Sequence, residues 1–403
     1  MTPWRAPRRS PVAERIHAEA EKDRAENPQR YRFDADRVVE RACRRGEYTP
    51  DEFAPGWHDG LRAFLESAEQ DGRLNAVGTR MALQSATGRL MAGARIARCR
   101  SERPELCDVE LAPPIVIIGG WRTGTTFLFR LLGTDPRLHA PLPAELVSPW
   151  AFVDPGHPDP AGVNASSSSV LHTLNPDMAV VHPSGPALPE ECVLGMGVDL
   201  RNWGFTSMMR LPGYAEWLAA QDFAPTYERY REVLQLLARH DDRRFVLKAP
   251  AHTAELDHLI ATFPGLVVVQ IHRDIVATLT SGASLFAVYR STYSDDVDAA
   301  EVGRHQVAQS ELWFRRAVEV RKTTPPEAAT FVDLDYHDLV SSPKDTLRRV
   351  YSAAGMEPPV DLDGFVEHYH RAHPRDAKGT HRYTPEEFGL VPDEIRERFS
   401  FLD

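Results

Sequence analysis

Lysine is nearly absent from this chain. Of its 47 basic residues only Lys22, Lys248, Lys322, Lys344 and Lys378 are lysines, and the rest are arginines. Each lysine is therefore worth inspecting individually. Cysteine is also scarce. Cys43, Cys99, Cys107 and Cys192 form no C-x-x-C pair and no His/Cys cluster of zinc-like spacing, which excludes a disulfide framework and a structural zinc site. Four scattered thiols in a chain of this length read as reduced groups and predict a cytoplasmic location. No run of about 18 apolar residues exists to span a membrane, and the start Met1-Thr2-Pro3-Trp4-Arg5 lacks the apolar stretch of a secretory signal. Positive charge is in deficit too. With 58 acidic residues the formal net charge is −11, the wrong sign for the basic footprint of a general nucleic-acid binder. A local basic pocket for a small anion is still compatible with it.

What is present suits a large folded unit. The chain has 403 residues, 42% of them hydrophobic, enough for a sizeable core. Residues 1–110 read as a helical N-terminal extension, with surface helix over 11–45 and helical apolar spacing at Leu61, Phe64 and Leu65. Thr49-Pro50-Asp51-Glu52 reads as a helix start. Past Pro113-Pro114 the pattern changes. Ile115–Ile118, Arg244–Lys248, Leu266–Ile271 and Thr330–Leu334 are short, strongly apolar runs, as expected of strands covered on both faces. Helical segments follow them over Thr125–Leu132, Ala251–Thr262, Ile275–Arg290 and Pro343–Ala354. This alternation predicts an α/β class with a parallel sheet. Residues 151–188, rich in Pro, Gly, Ser and His, read as a long loop or lid, followed by helices near 213–222 and 225–239.

The first strand runs into Gly119-Gly120-Trp121-Arg122-Thr123-Gly124-Thr125-Thr126 and then a helix. A tight glycine loop at a helix N-terminus presents backbone N–H groups to an anion, and Arg122 adds a fork of donors. The position before the Thr pair is Gly124, so the Walker pattern with its lysine is absent and nucleotide hydrolysis is disfavoured.

Gly120 to Thr126 resembles the 5′-phosphosulfate loop of the sulfotransferases that use 3′-phosphoadenosine 5′-phosphosulfate (PAPS). In particular it is similar to the bacterial and tyrosylprotein branch that carries Arg in that loop. The likeness covers about residues 111–403. It implies a P-loop-like three-layer α/β/α domain with a central parallel sheet, with 151–240 as a lid and helical acceptor-site insertion. It implies PAPS as sulfonate donor, bound through Arg122, Thr123, Gly124, Thr125 and Thr126, with adenosine 3′,5′-bisphosphate as product and no metal. Arg273, after the strand ending Ile271-His272, and Ser281 on the next helix are the implied 3′-phosphate ligands, with Thr278 and Ser284 as weaker candidates. Lys378 and Gly379 resemble the loop that closes over the nucleotide phosphates. Tyr336 resembles an adenine contact, and a packing aromatic is an equal reading of it.

Sulfonate transfer needs a base for the acceptor hydroxyl and positive groups on the sulfonate and leaving oxygens. The resemblance implies Glu145, in Pro143-Ala144-Glu145-Leu146, as base. His252, just after the strand ending in Lys248, is the rival, and His182 comes third. Lys248 and Arg122 are the implied hydrogen-bond donors to the sulfonate or bridging oxygen. Glu190 and Glu191 read as a helix start. The stretch with Trp203, Phe205, Met208, Tyr214 and Trp217 reads mainly as core, part of which lines an apolar pocket. The expected partner is a small apolar alcohol, phenol or lipid bearing a hydroxyl, with no nucleic acid. A homodimer is left open. The competing readings are a nucleotide kinase of the same fold and a nucleotide-binding regulator without catalysis.

Overall fold

In the computed structural model, residues 4–163, 165–373 and 383–402 are described, apart from the side chains of 165–169. Five strands form one parallel sheet: β1 (Ile115–Gly119), β2 (Leu138–His139), β3 (Arg244–Lys248), β4 (Leu266–His272) and β5 (Ala329–Asp335), in the order β2-β3-β1-β4-β5. Successive strand side chains point to opposite faces, and β1 shows the consequence. Ile115 and Ile117 enter one apolar layer, and Val116 and Ile118 enter another. The first layer is closed by the helices Thr125–Leu132, Pro343–Ala353 and Leu362–Ala372. The second is closed by the helices Ile275–Tyr293 and Ala299–Thr323 and by the N-terminal helices. That sandwich is the expected three-layer α/β/α fold.

Chain order reverses direction at β1. The crossovers after it lead to β2 and β3 on one side, and β4 lies on the other. Open α/β sheets leave a crevice at the strand C-termini where this happens. Register aligns Ile117 with Lys248 and Gly119 with Ile271. The residues leaving β1, β3 and β4 therefore emerge at one edge of the sheet.

Several expected elements differ. The stretch 11–45 breaks into helices Pro11–Glu26 and Ala35–Gly46 around a short turn, Pro28–Tyr31. Thr49–Glu52 closes as a single 3₁₀ turn, in which the Glu52 carboxylate accepts the Thr49 N–H at 2.8 Å, and the next helix begins only at Trp57. The expected lid contains helices at Ala165–Leu174 and Met178–Val181, and Met178 and Val181 pack on Val288. Residues 251–262 divide into a 3₁₀ turn, Pro250–Thr253, and a helix, Leu256–Thr262. The 25-residue helix Ala299–Thr323 was not anticipated. The N-terminal helices share the main core with the sheet domain: Leu61, Phe64 and Leu90 lie in the same cluster as Val116 and Leu247.

Candidate active site

The loop after β1 holds two residues in the left-handed region, Arg122 at φ 62° and Gly124 at φ 90°. A Cβ at Gly124 would lie 2.9 Å from Leu339 Cδ2 and 3.2 Å from the Tyr336 ring. Only glycine lets the backbone run this close to Tyr336. Arg122 pays for its backbone conformation with strain on the order of 1 kcal/mol. Such strain is commonly stored at ligand sites. Thr123 is buried, with its hydroxyl donating to the Gly120 carbonyl at 2.9 Å, so it holds the loop's shape rather than facing a ligand. Thr125 and Thr126 open the helix Thr125–Leu132, whose first-turn N–H groups lack intrahelical partners.

Two further strand ends complete the site. Arg273, just past β4, donates to the Arg122 carbonyl at 2.7 Å, and its guanidinium lies 4.5 Å from the centre of the Tyr336 ring. Arg122, Gly124, Arg273 and Tyr336 are thus brought together. Ser281 lies nearly two turns along the next helix, buried, and its hydroxyl accepts from Tyr383 at 2.6 Å. Thr278 and Ser284 are buried as well, and the Thr278 hydroxyl donates to the Asp274 carbonyl. Lys378 and Gly379 lie outside the described residues. Lys248, at the end of β3, is 2% exposed, and its ammonium meets Glu191 at 2.6 Å.

Beside this edge lies an apolar cavity of about 470 Å³, walled by Trp121, Trp203, Phe205, Met208, Tyr289 and Trp313 among others. Trp121 belongs to the anion loop and stacks on Trp313 at 4.7 Å, so the loop and the cavity share a wall. The N-terminal region contributes Met81 and Arg89. Burial pushes the Arg89 guanidinium down to about 10, and Arg89 clamps the carbonyls of Val193, Leu194 and Met196 at 2.6–3.1 Å. Tyr214, Met209 and Leu211 are core, as expected for most of that stretch.

The acid–base residues are arranged otherwise than expected. On the five-residue helix Pro143–Val147, Pro143 and Val147 face the apolar cavity, and Glu145, between them, faces a separate one of mixed lining. One Glu145 oxygen accepts the Leu142 N–H at 2.6 Å, and the other meets His139 Nε2 at 3.1 Å. His139 Nδ1 in turn lies 2.9 Å from Asp241. Glu145, the expected base, thus has its carboxylate in a helix cap and an ion pair. His252, the rival, points into the core. The turn Pro250–Thr253 rotates its ring inward, where it is fully buried and Nδ1 bonds the Tyr227 hydroxyl at 2.8 Å. Burial pushes it down to about 3, so it stays neutral, while its neighbours Pro250 and Ala251 line the cavity.

The carboxylates that do line the cavity are Glu190 and Glu191, together with His182. Glu191 stands at the start of a short 3₁₀ turn, Cys192–Leu194, and not of an α-helix. Glu191 holds Lys248, and Glu190 lies 3.5 Å from His182 Nε2. Burial pushes the Glu190 carboxyl up, but the charge and hydrogen bond of His182, aided by Lys248 and Arg130, outweigh it and hold the carboxyl at about 2. Nothing in Pro189-Glu190-Glu191 distinguishes these residues from an ordinary helix start, and only the fold brings them to the strand ends. Glu255, Asp257 and His258 offer ligand atoms within 4.8 Å of one another, but Glu255 already accepts from Trp203 and Arg316 at 3.0 Å.

Residues 113–360 match the model of the sulfotransferase family. The chain belongs to that family. Over 251 residues this family member is 29% identical to the omega-hydroxy-beta-dihydromenaquinone-9 sulfotransferase Stf3 of Mycobacterium bovis, and equally to that of Mycobacterium tuberculosis. The match takes in 60% of this chain and 63% of the relative's length. Among solved structures, the sulfotransferase STF1 of Mycobacterium tuberculosis H37Rv superposes with a TM-score of 0.73 at 26% identity, covering 91% of this chain and 98% of that one. STF9 of Mycobacterium avium superposes with a TM-score of 0.76 at 22% identity, covering 91% and 95%, a likeness of fold. For this sulfotransferase family member, the fold expected from the sequence is the fold observed.

Proposed function

We propose that the protein transfers a sulfonate group from PAPS to the hydroxyl of an uncharged, largely apolar alcohol, a lipid alcohol above all. The observation that carries this reading is the shared Trp121 wall between the anion loop and the apolar cavity. A donor nucleotide and an apolar acceptor would meet there. The residues fit a bisphosphonucleotide: the loop's left-handed pair, the unpartnered N–H groups of the helix Thr125–Leu132, and two arginines from separate strand ends. The donor, when bound, supplies an activated sulfonate whose leaving group is a phosphate. Arg122 would hold the sulfonate side, Arg273 and Ser281 the 3′-phosphate, and Tyr336 the base, with Lys248 released from Glu191 toward the leaving oxygen. The relative Stf3 is named for an omega-hydroxylated dihydromenaquinone, which supports an acceptor with its hydroxyl on an apolar body. No helix among the described residues is long and apolar enough to cross a membrane, so such an acceptor would be taken up into the cavity.

Radiolabelled sulfonate transfer from PAPS to a series of 1-alkanols tests the reading. Each methylene buried in an apolar site contributes about 0.8 kcal/mol, so KM should fall about fourfold per carbon until the cavity is full. No transfer to any alkanol, or transfer independent of chain length, would rule the apolar acceptor out.

A further inference from the structure

Both peptide neighbours of His182 are held by arginines of the anion-loop segment. Arg122 donates to the Val181 carbonyl at 2.6 Å, and Arg130, on the helix that the loop opens, donates to the Pro183 carbonyl at 2.8 Å. The helix Met178–Val181, packed on Val288, fixes the approach from the other side, with the His182 N–H on the Met178 carbonyl at 2.8 Å. His182 is thereby clamped against the loop by bonds independent of its own side chain. Its ring lines the apolar cavity, with Nε2 toward Glu190 and no hydrogen bond to Nδ1 among the described residues. Glu191, one residue on, is committed to Lys248.

We infer that His182, oriented by Glu190, is the general base that deprotonates the acceptor alcohol, in place of Glu145. The inference rests on the sulfonate-transfer reading above. An imidazole between a buried carboxylate and a substrate pocket, beside the groups that hold the reacting anion, is the arrangement a base requires. The 3.5 Å contact with Glu190 is the kind that shortens when substrate closes the site. In the step itself, the free ring nitrogen of His182 takes the hydroxyl proton as the acceptor oxygen bonds to sulfur. The electron pair of the broken sulfur–oxygen bond leaves on the 5′-phosphate of adenosine 3′,5′-bisphosphate. Glu190 balances the imidazolium, which then gives its proton to water. Glu190 acts only through His182 and is a positioning residue.

The test compares two acceptor chemistries in one enzyme. His182→Ala and His182→Gln are assayed for transfer to the best 1-alkanol of the series above. They are also assayed for the reverse transfer from 4-nitrophenyl sulfate onto adenosine 3′,5′-bisphosphate, in which the acidic phenol departs without proton help. The alkanol reaction should fall on the order of 10²–10⁴-fold, the nitrophenyl reaction by no more than about threefold, and added imidazole should restore part of the alkanol rate to His182→Ala. The melting-temperature rise caused by adenosine 3′,5′-bisphosphate should be unchanged, which shows a folded site with its nucleotide affinity intact. Glu190→Gln should reproduce the alkanol-selective loss more weakly, and Glu190→Asp should retain part of the rate. Equal losses in both reactions, or no loss in either, would overturn the role of His182. An alkanol-selective loss in Glu145→Gln but not in His182→Ala would give the role to Glu145. Wild-type protein inactive in both assays would remove the sulfonate-transfer reading, and this inference with it.

Discussion

Glu145 and Glu190 are two carboxylates of similar local setting, each just after a proline-rich bend and each paired with a histidine. Each also accepts one backbone N–H, Glu145 from Leu142 and Glu190 from Glu191, so they differ in what lies beyond the histidine. The Glu145 oxygens meet a backbone N–H and His139, whose second nitrogen lies 2.9 Å from a second carboxylate, Asp241. Glu190 meets a histidine whose other nitrogen takes no partner among the described residues and whose ring borders an apolar cavity. A histidine between two carboxylates stabilises, and one with a spare nitrogen on a pocket can move a proton. Residue type does not separate the two cases, but the surroundings of the histidine do.

The largest effect that would break this comparison concerns turnover. Glu190→Gln should cost roughly 10²-fold in alkanol turnover, with Glu145→Gln within a few-fold of wild type; equal losses in steady-state assays would erase the distinction. The donor side should respond independently of both. Arg273→Ala removes a charge-assisted contact, a loss of about 1.5–3 kcal/mol, so titration calorimetry should show adenosine 3′,5′-bisphosphate bound roughly 10- to 100-fold more weakly. Unchanged affinity would remove Arg273 from the nucleotide site.

Smaller effects should appear in stability. Glu145→Gln leaves His139 and Asp241 without their third member and should cost about 1–3 kcal/mol, seen as a melting temperature lower by a few degrees. Unaltered melting would mean that this network carries no stability. The smallest effect is in pH dependence. Burial alone would lower His139, but Asp241 and Glu145 outweigh it and raise it. A histidine raised in the folded state stabilises fully below its unfolded value of about 6.5, and the contribution fades as pH rises through the folded value. For Asp241, burial alone would raise the carboxyl, but His139 and Arg243 hold it down, so its share is present above about 3.9 and lost on acidification. His139→Gln should therefore lower the melting temperature most between roughly pH 4 and 6.5, and less in alkali. A difference that is constant across pH would contradict the ion pairing.

The two halves of the site were not equally legible. The anion loop could be read because its parts are neighbours in the chain: Gly124, Arg122 and the Thr pair act through local backbone geometry. Arg273 was legible because a strand end determines where the next residue goes. The base was not. His252 follows Lys248 closely, but a single 3₁₀ turn carries its ring into the core, and chain proximity says nothing about that rotation. Glu145 lies two residues from both Pro143 and Val147 on one short helix, so it faces the opposite cavity. Trp313 comes from a helix that the pattern did not show.

By itself the sequence determined the parallel sheet, the loop after β1 and the sign of the charges placed there. Strand propensity, glycine conformation and helix-terminus polarity all act within a few residues. The tertiary structure decided which carboxylate meets the cavity, which histidine is buried and neutral, and which aromatics form the wall. Those outcomes depend on the packing of segments more than a hundred residues apart: Arg89 against the carbonyls of Leu194 and Met196, and Trp121 against Trp313. A side chain's solvation and its surroundings are set by that packing, and they separate a stabilising ion pair from a group able to accept a proton.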